Sequence, residues 1–146
     1  MKSEYSSYDG YLHPAIIFDN DGTLVYMNEA AKKIFGSHEE GKEKCHYIYR
    51  GFNSECKNYI KCVCGKQQPS GNPKLSFIRE AVTTKGNHFF IVEKKQLPNS
   101  TRYIEQLYDI TEVANSYIES GLMTKDELEN MIIESESMQE NTLRTL

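Results

Sequence analysis

The sequence lacks a long apolar run, an apolar leader at its start and a strong excess of basic residues. No window approaches the roughly 18 consecutive apolar residues that span a bilayer, so membrane insertion is not expected. The first 13 residues contain no apolar leader region, and we therefore expect a cytoplasmic protein. Residues 112–146 hold eight acidic and two basic residues, a net charge of −6, so residues 1–111 carry +2 of the total of −4. Neither part has the basic excess of a nucleic-acid-binding domain, and direct nucleic-acid contact is not expected.

An internal repeat and a nucleotide-binding loop are also absent. No GxxxxGK[ST] motif occurs, so we expect no ATP hydrolysis by these residues. The 146 residues suit one domain. A hydrophobic content of 38% and a mean hydropathy of −0.62 allow a buried core beneath a polar surface.

Local patterns predict two strands, short helices, three further strands and an exit helix. Asn20-Asp21-Gly22 is a hairpin turn between the first two strands. Asn28 is the predicted N-cap of the first helix, and Gly36 ends it. The predicted elements are strands over Ala15–Phe18, Thr23–Met27, Leu75–Thr84, His88–Leu97 and Thr101–Asp109, a helix over Glu29–Phe35 and a turn at Lys85–Asn87. This order favours an α+β fold: a five-stranded antiparallel sheet with short helices on one face and a C-terminal exit helix.

The segment FDNDGTLV, which runs from Phe18 to Val25, resembles the first motif of haloacid-dehalogenase-type phosphatases. That resemblance implies a nucleophile at Asp19 and an acid/base at Asp21, because two carboxylates at a strand end suit phosphoryl transfer with magnesium. The mechanism also needs a later lysine and a second acidic pair at another strand end. Asp126-Glu127 lies instead at a predicted helix start, and the alternating pattern of a parallel sheet is absent. A phosphatase is the remote alternative.

A second resemblance covers more of the chain. The segment IIFDNDGTLVYMNEAAKKIFG resembles the opening of PAS domains, in which an Asp-x-Asp-Gly hairpin precedes Asn-x-Ala and a helix that ends in glycine. The residues that carry this match are Asp19, Asp21, Gly22, Asn28, Ala30 and Gly36. Tyr108–Glu112, YDITE, resembles the Asp-Ile-Thr-Glu signature that ends many PAS domains. The resemblance implies a non-catalytic sensor or interaction domain in which both aspartates form a turn.

All four cysteines lie within residues 45–65, and they are Cys45, Cys56, Cys62 and Cys64. Clustered thiols in a cytosolic chain favour metal ligation or redox chemistry over disulfides. The spacing lacks the C-x2-C pairs of common zinc modules, whereas an iron–sulfur cluster tolerates looser spacing and needs four thiolates. Three alternatives stay open: an iron–sulfur cluster or other metal held by all four thiolates, a reversible thiol switch, and inert cysteines that act as small buried hydrophobes.

Some PAS domains carry cysteines in the same helical flank, as Cys-Tyr, a glycine and then a cysteine pair. Cys45-His46-Tyr47, Gly51 and Cys56 resemble that pattern, while Cys62-Val63-Cys64 departs from its usual Cys-x-x-Cys ending. The resemblance implies that residues 45–65 hold a cofactor or redox thiols; otherwise a small ligand would lie between the helices and the sheet. Cations that would lower thiolate pKa values surround the cysteines, namely Lys42, Lys44, Arg50, Lys57, Lys61 and Lys66.

The chain divides into an N-terminal cap, residues 1–13, a sensor domain, residues 14–112, and an acidic helical linker, residues 113–146. In the linker, Gly121 separates two predicted helices, and Thr124-x-x-Glu127 is a capping box for the second. Helical tails after a PAS sheet often pair in a dimer, so the resemblance implies a homodimer. The apolar side chains at suitable spacing, whose register Gly121 breaks, are Val113, Tyr117, Ile118, Leu128, Met131 and Ile132.

The last part of the linker carries a third resemblance. Leu128–Glu140, LENMIIESESMQE, resembles the entry into the ATPase domain of sigma-54-dependent transcriptional activators, although one glycine of that pattern is missing. This resemblance implies the N-terminal sensor region of such a regulator, and a generic acidic helix is the alternative.

The expected function is therefore that of a PAS signal-sensing domain in a bacterial-type signalling or transcriptional regulator. Its cysteines would sense redox state, oxygen or a metal, and its exit helix would signal to a linked or separate ATPase, DNA-binding or kinase module. The alternative is a PAS module for small-ligand binding or dimerisation with inert cysteines.

Overall fold

The computed structural model describes residues 4–50 and 75–132 and contains one sheet with short helices. The elements are β1 (Ala15–Phe18), β2 (Leu24–Met27), α1 (Glu29–Phe35), α2 (Cys45–Arg50), β3 (Leu75–Thr83), β4 (Gly86–Gln96), β5 (Tyr103–Asp109), α3 (Thr111–Glu119) and α4 (125–132). A short 3-10 turn, Ser6–Gly10, precedes β1. The predicted α+β fold with a five-stranded antiparallel sheet is confirmed. Within the described ranges, no helix combines the length and apolar character needed to cross a membrane.

The strand order across the sheet is β2-β1-β5-β4-β3, and every neighbouring pair is antiparallel. The last strand in sequence, β5, is therefore the central strand. It pairs with β1 on one side, where Ile104 lies opposite Ile17, and with β4 on the other, where Glu105 lies opposite Lys94. The strand that directly precedes the exit helix thus lies in the middle of the sheet.

One face of the sheet, here called the inner face, packs against α1 and α2. Strand residues alternate between faces, so Phe90 and Val92 share the inner face while Phe89 and Ile91 point away from it. The inner core contains these strand residues with Ile16, Phe18, Leu24, Met27, Phe77, Ala81, Tyr103 and Leu107, and with Ala31, Phe35, Cys45, Ile48 and Tyr49 from the helical side. The predicted short helices on one face are confirmed.

The opposite, outer face is covered by the two ends of the chain. Near β1 and β5, Tyr5 and Tyr8 pack against a buried group that includes Ile17 and Ile104. Near β3 and β4, the C-terminal helices α3 and α4 cover the sheet. Their cluster consists of Ala114, Leu128 and Ile132, with Ile78, Phe89, Ile118 and Met123 packed against it.

Asn28 joins the N-terminal segment, the first strand and the first helix. It is fully buried, and its Oδ1 accepts hydrogen bonds from the N–H groups of Ala15 and Ala31. Its Nδ2 donates to the carbonyl oxygens of Tyr8 and His13. The predicted N-cap is confirmed, and it also anchors the preceding segment to β1.

The main local difference from the sequence prediction is the turn between β3 and β4. The sequence predicts a turn at Lys85–Asn87, but Thr83 pairs directly with Gly86, which leaves Thr84 and Lys85 as the turn. The Thr83 hydroxyl stabilises this register because it donates to the Gly86 carbonyl and accepts from the Lys85 N–H. A threonine at the strand end thus sets the turn one residue earlier than the Gly-Asn pair indicates.

Candidate functional site

Cys45, the first residue of α2, is the one predicted thiol ligand among the described residues. It is 3% exposed and belongs to the inner core. Its N–H donates to the carbonyl of Gly22, 3.0 Å away, which fixes the start of α2 against the β1–β2 turn. Cys56, Cys62 and Cys64 lie outside the described residues.

The described part of the chain does not assemble a metal site by itself. Across residues 4–50 and 75–132, no three His, Cys, Asp or Glu side chains come together in a group that could hold a metal ion. These residues supply one of the four thiolates in the predicted set. A thiolate-bound metal or iron–sulfur cluster therefore remains a prediction that depends on residues 51–74.

Two of the lysines expected to surround the thiols form ion pairs with surface carboxylates. Lys42 Nζ lies 3.2 Å from Glu39 Oε1, and Lys44 Nζ lies 3.1 Å from Asp21 Oδ2. Lys44 Nζ also donates to Thr23 Oγ1 at 2.9 Å. Lys42 thus pairs within the loop before α2, and Lys44 joins that loop to the β1–β2 turn. Lys57, Lys61, Lys66 and the side chain of Arg50 lie outside the described residues.

The two aspartates of the DxDGT segment shape the turn between β1 and β2. Asp21 Oδ1 accepts a 2.9 Å hydrogen bond from the Thr23 N–H. Hydrogen bonds from Thr23, with a smaller contribution from Lys44, lower the pKa of Asp21 below its ordinary value. Asp19 Oδ1 accepts from Arg102 Nε at 3.2 Å. The Asp21 carboxylate therefore has partners at the turn itself, whereas the Asp19 carboxylate joins the turn to Arg102, just before β5.

A cluster of buried charges lies on the inner face, where sequence reasoning placed no site. Glu105 and Lys94 are fully buried, and Arg79 is 6% exposed. Glu105 Oε1 accepts from Tyr49 Oη at 2.7 Å and from Arg79 Nη1 at 2.9 Å. The guanidinium of Arg79 lies 4.5 Å from the centre of the Tyr49 ring, and Lys94 Nζ lies 4.1 Å from the centre of the Tyr103 ring.

The cluster had a signal in the sequence. Strand alternation places Glu105 between the apolar residues Tyr103 and Leu107 on one face. By the same period, Arg79 falls between Phe77 and Ala81, and Lys94 follows Val92, so three neighbouring strands each place one charge on an apolar face. A search for charged residues at core-facing strand positions would have found them.

A compact set of hydrogen bonds joins the sheet to the exit helix. The Thr111 N–H donates to Asp109 Oδ1 at 2.9 Å, and His88 Nδ1 lies 2.8 Å from Asp109 Oδ2. Burial acts to raise the pKa of Asp109, but hydrogen bonds from Thr111 and His88 lower it below its ordinary value. The Phe89 N–H donates to Thr111 Oγ1, and the Ile110 N–H donates to the Phe89 carbonyl. The YDITE segment thus ties β5, β4 and α3 together.

The apolar positions of the linker divide into two groups. Leu128 and Ile132 are buried against the domain itself, and Ile118 packs beside them. Val113, Tyr117 and Met131 are exposed. The capping box is confirmed, since the Glu127 N–H donates to Thr124 Oγ1 and Glu127 Oε1 accepts from the Thr124 N–H. Part of the predicted dimer stripe therefore stabilises the single chain.

No family model matches the chain, and no curated protein matches it.

Proposed function

We propose that the chain is a PAS-type signal-sensing domain of a bacterial-type signalling or transcriptional regulator. In this proposal the cysteine segment, residues 45–65, senses redox state, oxygen or a metal. The observation that carries the proposal is the hydrogen bond from Tyr49 Oη to Glu105 Oε1. Tyr49 lies one helical turn after Cys45 in α2, and Glu105 lies in the central strand. A displacement of the cysteine segment would therefore act on β5.

The short junction between β5 and α3, the exit helix, supports a signal that leaves the sheet through α3. Asp109 ends β5 and Thr111 begins α3, so one residue separates strand and helix. The hydrogen bonds around Asp109 make this junction stiff, and a shift of β5 would reach α3 without a flexible linker. We propose an ATPase, DNA-binding or kinase module as the receiver. We also propose a homodimer that uses the exposed Val113, Tyr117 and Met131.

Hydrogen–deuterium exchange on the anaerobically purified protein tests the proposal. We expect the amides of Thr111–Glu119 to change their exchange severalfold between the reduced protein and the protein treated with diamide, which oxidises thiol pairs. Absorbance and metal analysis of the untreated protein distinguish a redox switch from a bound cluster. A colourless, metal-free protein whose α3 exchanges identically in both states, with or without Cys62→Ser, would show that the cysteines do not sense a signal.

A second candidate is a PAS module that binds a small ligand and has inert cysteines. The burial of Cys45 in the apolar inner core favours it, because a buried thiol without water access behaves as a small hydrophobe. Thiol labelling of a variant with Cys56, Cys62 and Cys64 changed to serine tests this. We expect Cys45 to react slowly in the native state and rapidly in urea; equal rates would exclude an inert Cys45.

A further inference from the structure

The buried cluster leaves one strong acceptor without a donor. Glu105 is fully buried, and its Oε1 accepts two hydrogen bonds, but its Oε2 accepts none from the described residues. A carboxylate oxygen that has lost its water and gained no donor is destabilising, and native proteins rarely retain one without a reason. We propose that Glu105 Oε2 is the anchor of a binding site for a small, flat apolar molecule with one neutral N–H or O–H donor. This inference rests on the second candidate function, a PAS module that binds a small ligand, and it names the chemical class of that ligand.

The neighbouring charges determine that the donor is neutral. Arg79 contacts the same carboxylate through Oε1, and Lys94 lies opposite Glu105 on β4, fully buried. Among the described residues of this face, these two cations lie beside the carboxylate of Glu105. A third positive charge would meet strong repulsion, because like charges interact over long distances where water is excluded. A neutral N–H or O–H group satisfies the acceptor without that repulsion.

The aromatic side chains near the buried charges indicate what shape and polarity the rest of the ligand would have. The Phe18 ring lies 5.6 Å from the Tyr103 ring and 6.0 Å from the Tyr49 ring, centre to centre. The guanidinium of Arg79 also lies over the Phe77 ring, 4.9 Å from its centre. These aromatic side chains belong to the same inner core, so a molecule that reaches Oε2 contacts aromatic faces. A flat aromatic body with one donor matches this environment.

Calorimetric titration of the full 146-residue chain with indole and indene tests the inference. The two probes have nearly the same shape, but indole carries an N–H where indene carries a CH2. We expect indole to bind roughly tenfold to a hundredfold more tightly, as a hydrogen bond to a buried carboxylate implies. 1-Methylindole, whose donor is blocked, should bind no better than indene. Equal affinities for indole and indene, or no binding of either, would overturn the proposal.

Two variants test whether the preference for indole over indene arises at Glu105 Oε2. Glu105→Gln places an amide that can donate but not accept where Oε2 lies, so the preference for indole over indene should disappear. Glu80→Gln makes the same chemical change on the outer face and should retain the preference. Retention in Glu105→Gln would overturn the assignment to Oε2. If Glu105→Gln does not fold, the comparison of indole with 1-methylindole on the unmodified chain decides alone.

These measurements report binding and do not depend on signalling. Indole binding that leaves the hydrogen exchange of α3 unchanged would support the ligand site and count against the sensor proposal. A change at α3 on thiol oxidation without any indole preference would do the reverse. An experiment can therefore contradict the ligand site at Glu105 without contradicting the cysteine-based sensor, and the converse also holds.

Discussion

Tyr49 and Glu105 are 56 positions apart in the sequence, yet the phenol of one donates a 2.7 Å hydrogen bond to the buried carboxylate of the other. The guanidinium of Arg79 stacks on the Tyr49 ring and contacts the same carboxylate oxygen. Three elements, α2, β3 and β5, therefore meet at one atom, Glu105 Oε1. A contact of this kind fixes the helix that begins with Cys45 to the central strand.

Tyr49→Phe should destabilise the domain because it removes one donor to a buried charge while it keeps the ring beneath Arg79. Hydrogen bonds to charged groups contribute roughly 1.5–3 kcal/mol, and we expect a loss in that range. Urea unfolding followed by circular dichroism measures it. Tyr47→Phe is the matched control on the same helix, since Tyr47 is 39% exposed and should change stability by less than about 0.5 kcal/mol. Equal effects of both variants would exclude a special role for the buried phenol.

Asn28→Ala should be among the most destabilising single substitutions outside the apolar core. It removes the N-cap of α1, which contributes about 1 kcal/mol, and it leaves the buried N–H of Ala15 without its acceptor at a cost of roughly 1–3 kcal/mol. We expect a total loss of about 2–4 kcal/mol in urea unfolding. Asn115→Ala, at an exposed position in α3, should be nearly neutral. A near-neutral Asn28→Ala would contradict the four hydrogen bonds assigned to its side chain.

Asp109 should make the fold sensitive to acid. Because its pKa is lower in the folded state, its ionised form stabilises the fold above the unfolded pKa of about 4, and that contribution is lost as pH falls through the folded pKa. Thermal unfolding between about pH 6 and pH 2 should therefore depend less steeply on pH in Asp109→Asn. Thr111→Val, which removes a hydroxyl donor to Asp109, should give an intermediate slope. Identical slopes in all three proteins would contradict the lowered pKa.

The sequence predicted the sheet well because its strands carry local signals. Ala15–Phe18 was predicted with its observed bounds, and the helix over Glu29–Phe35 follows from a cap at Asn28 and a glycine at Gly36. Each of the other four strands differs by one or two residues at one or both ends, and at the end of β3 the Thr83 side chain decides the turn. The pairing of β5 between β1 and β4 follows from contacts across the whole chain, which local patterns do not contain.

The candidate site was harder to predict because it depends on which strand residues share a face after pairing. The four clustered cysteines predicted a metal or redox site, and Cys45 is the one of them that the structure describes. Glu105, Arg79 and Lys94 lie on three strands, and strand alternation marks each of them as a charge on an apolar face without showing that the three are neighbours. Their shared burial becomes visible once β3, β4 and β5 are paired in register.

Gly36→Ala tests how strictly the end of α1 is specified. Gly36 has φ of 82° and ψ of 175°, a backbone conformation that is nearly restricted to glycine because a Cβ atom clashes with its own backbone. The nearest external atom to a methyl group placed at this position, Thr84 Cγ2, would be 3.9 Å away, so the strain is local to the backbone. We expect a loss of about 1–3 kcal/mol in urea unfolding.

Gly10→Ala is the matched control for Gly36→Ala. A methyl group at Gly10 would have no neighbour within 4 Å, and Gly10 is not among the glycines with positive φ. The substitution should therefore be neutral or slightly stabilising, since alanine restricts the unfolded chain more than glycine does. A similar small effect at both positions would mean that α1 can end in another conformation. Its contact with the β3–β4 turn, where the Thr84 N–H donates to the Ile34 carbonyl, would then adjust to the change.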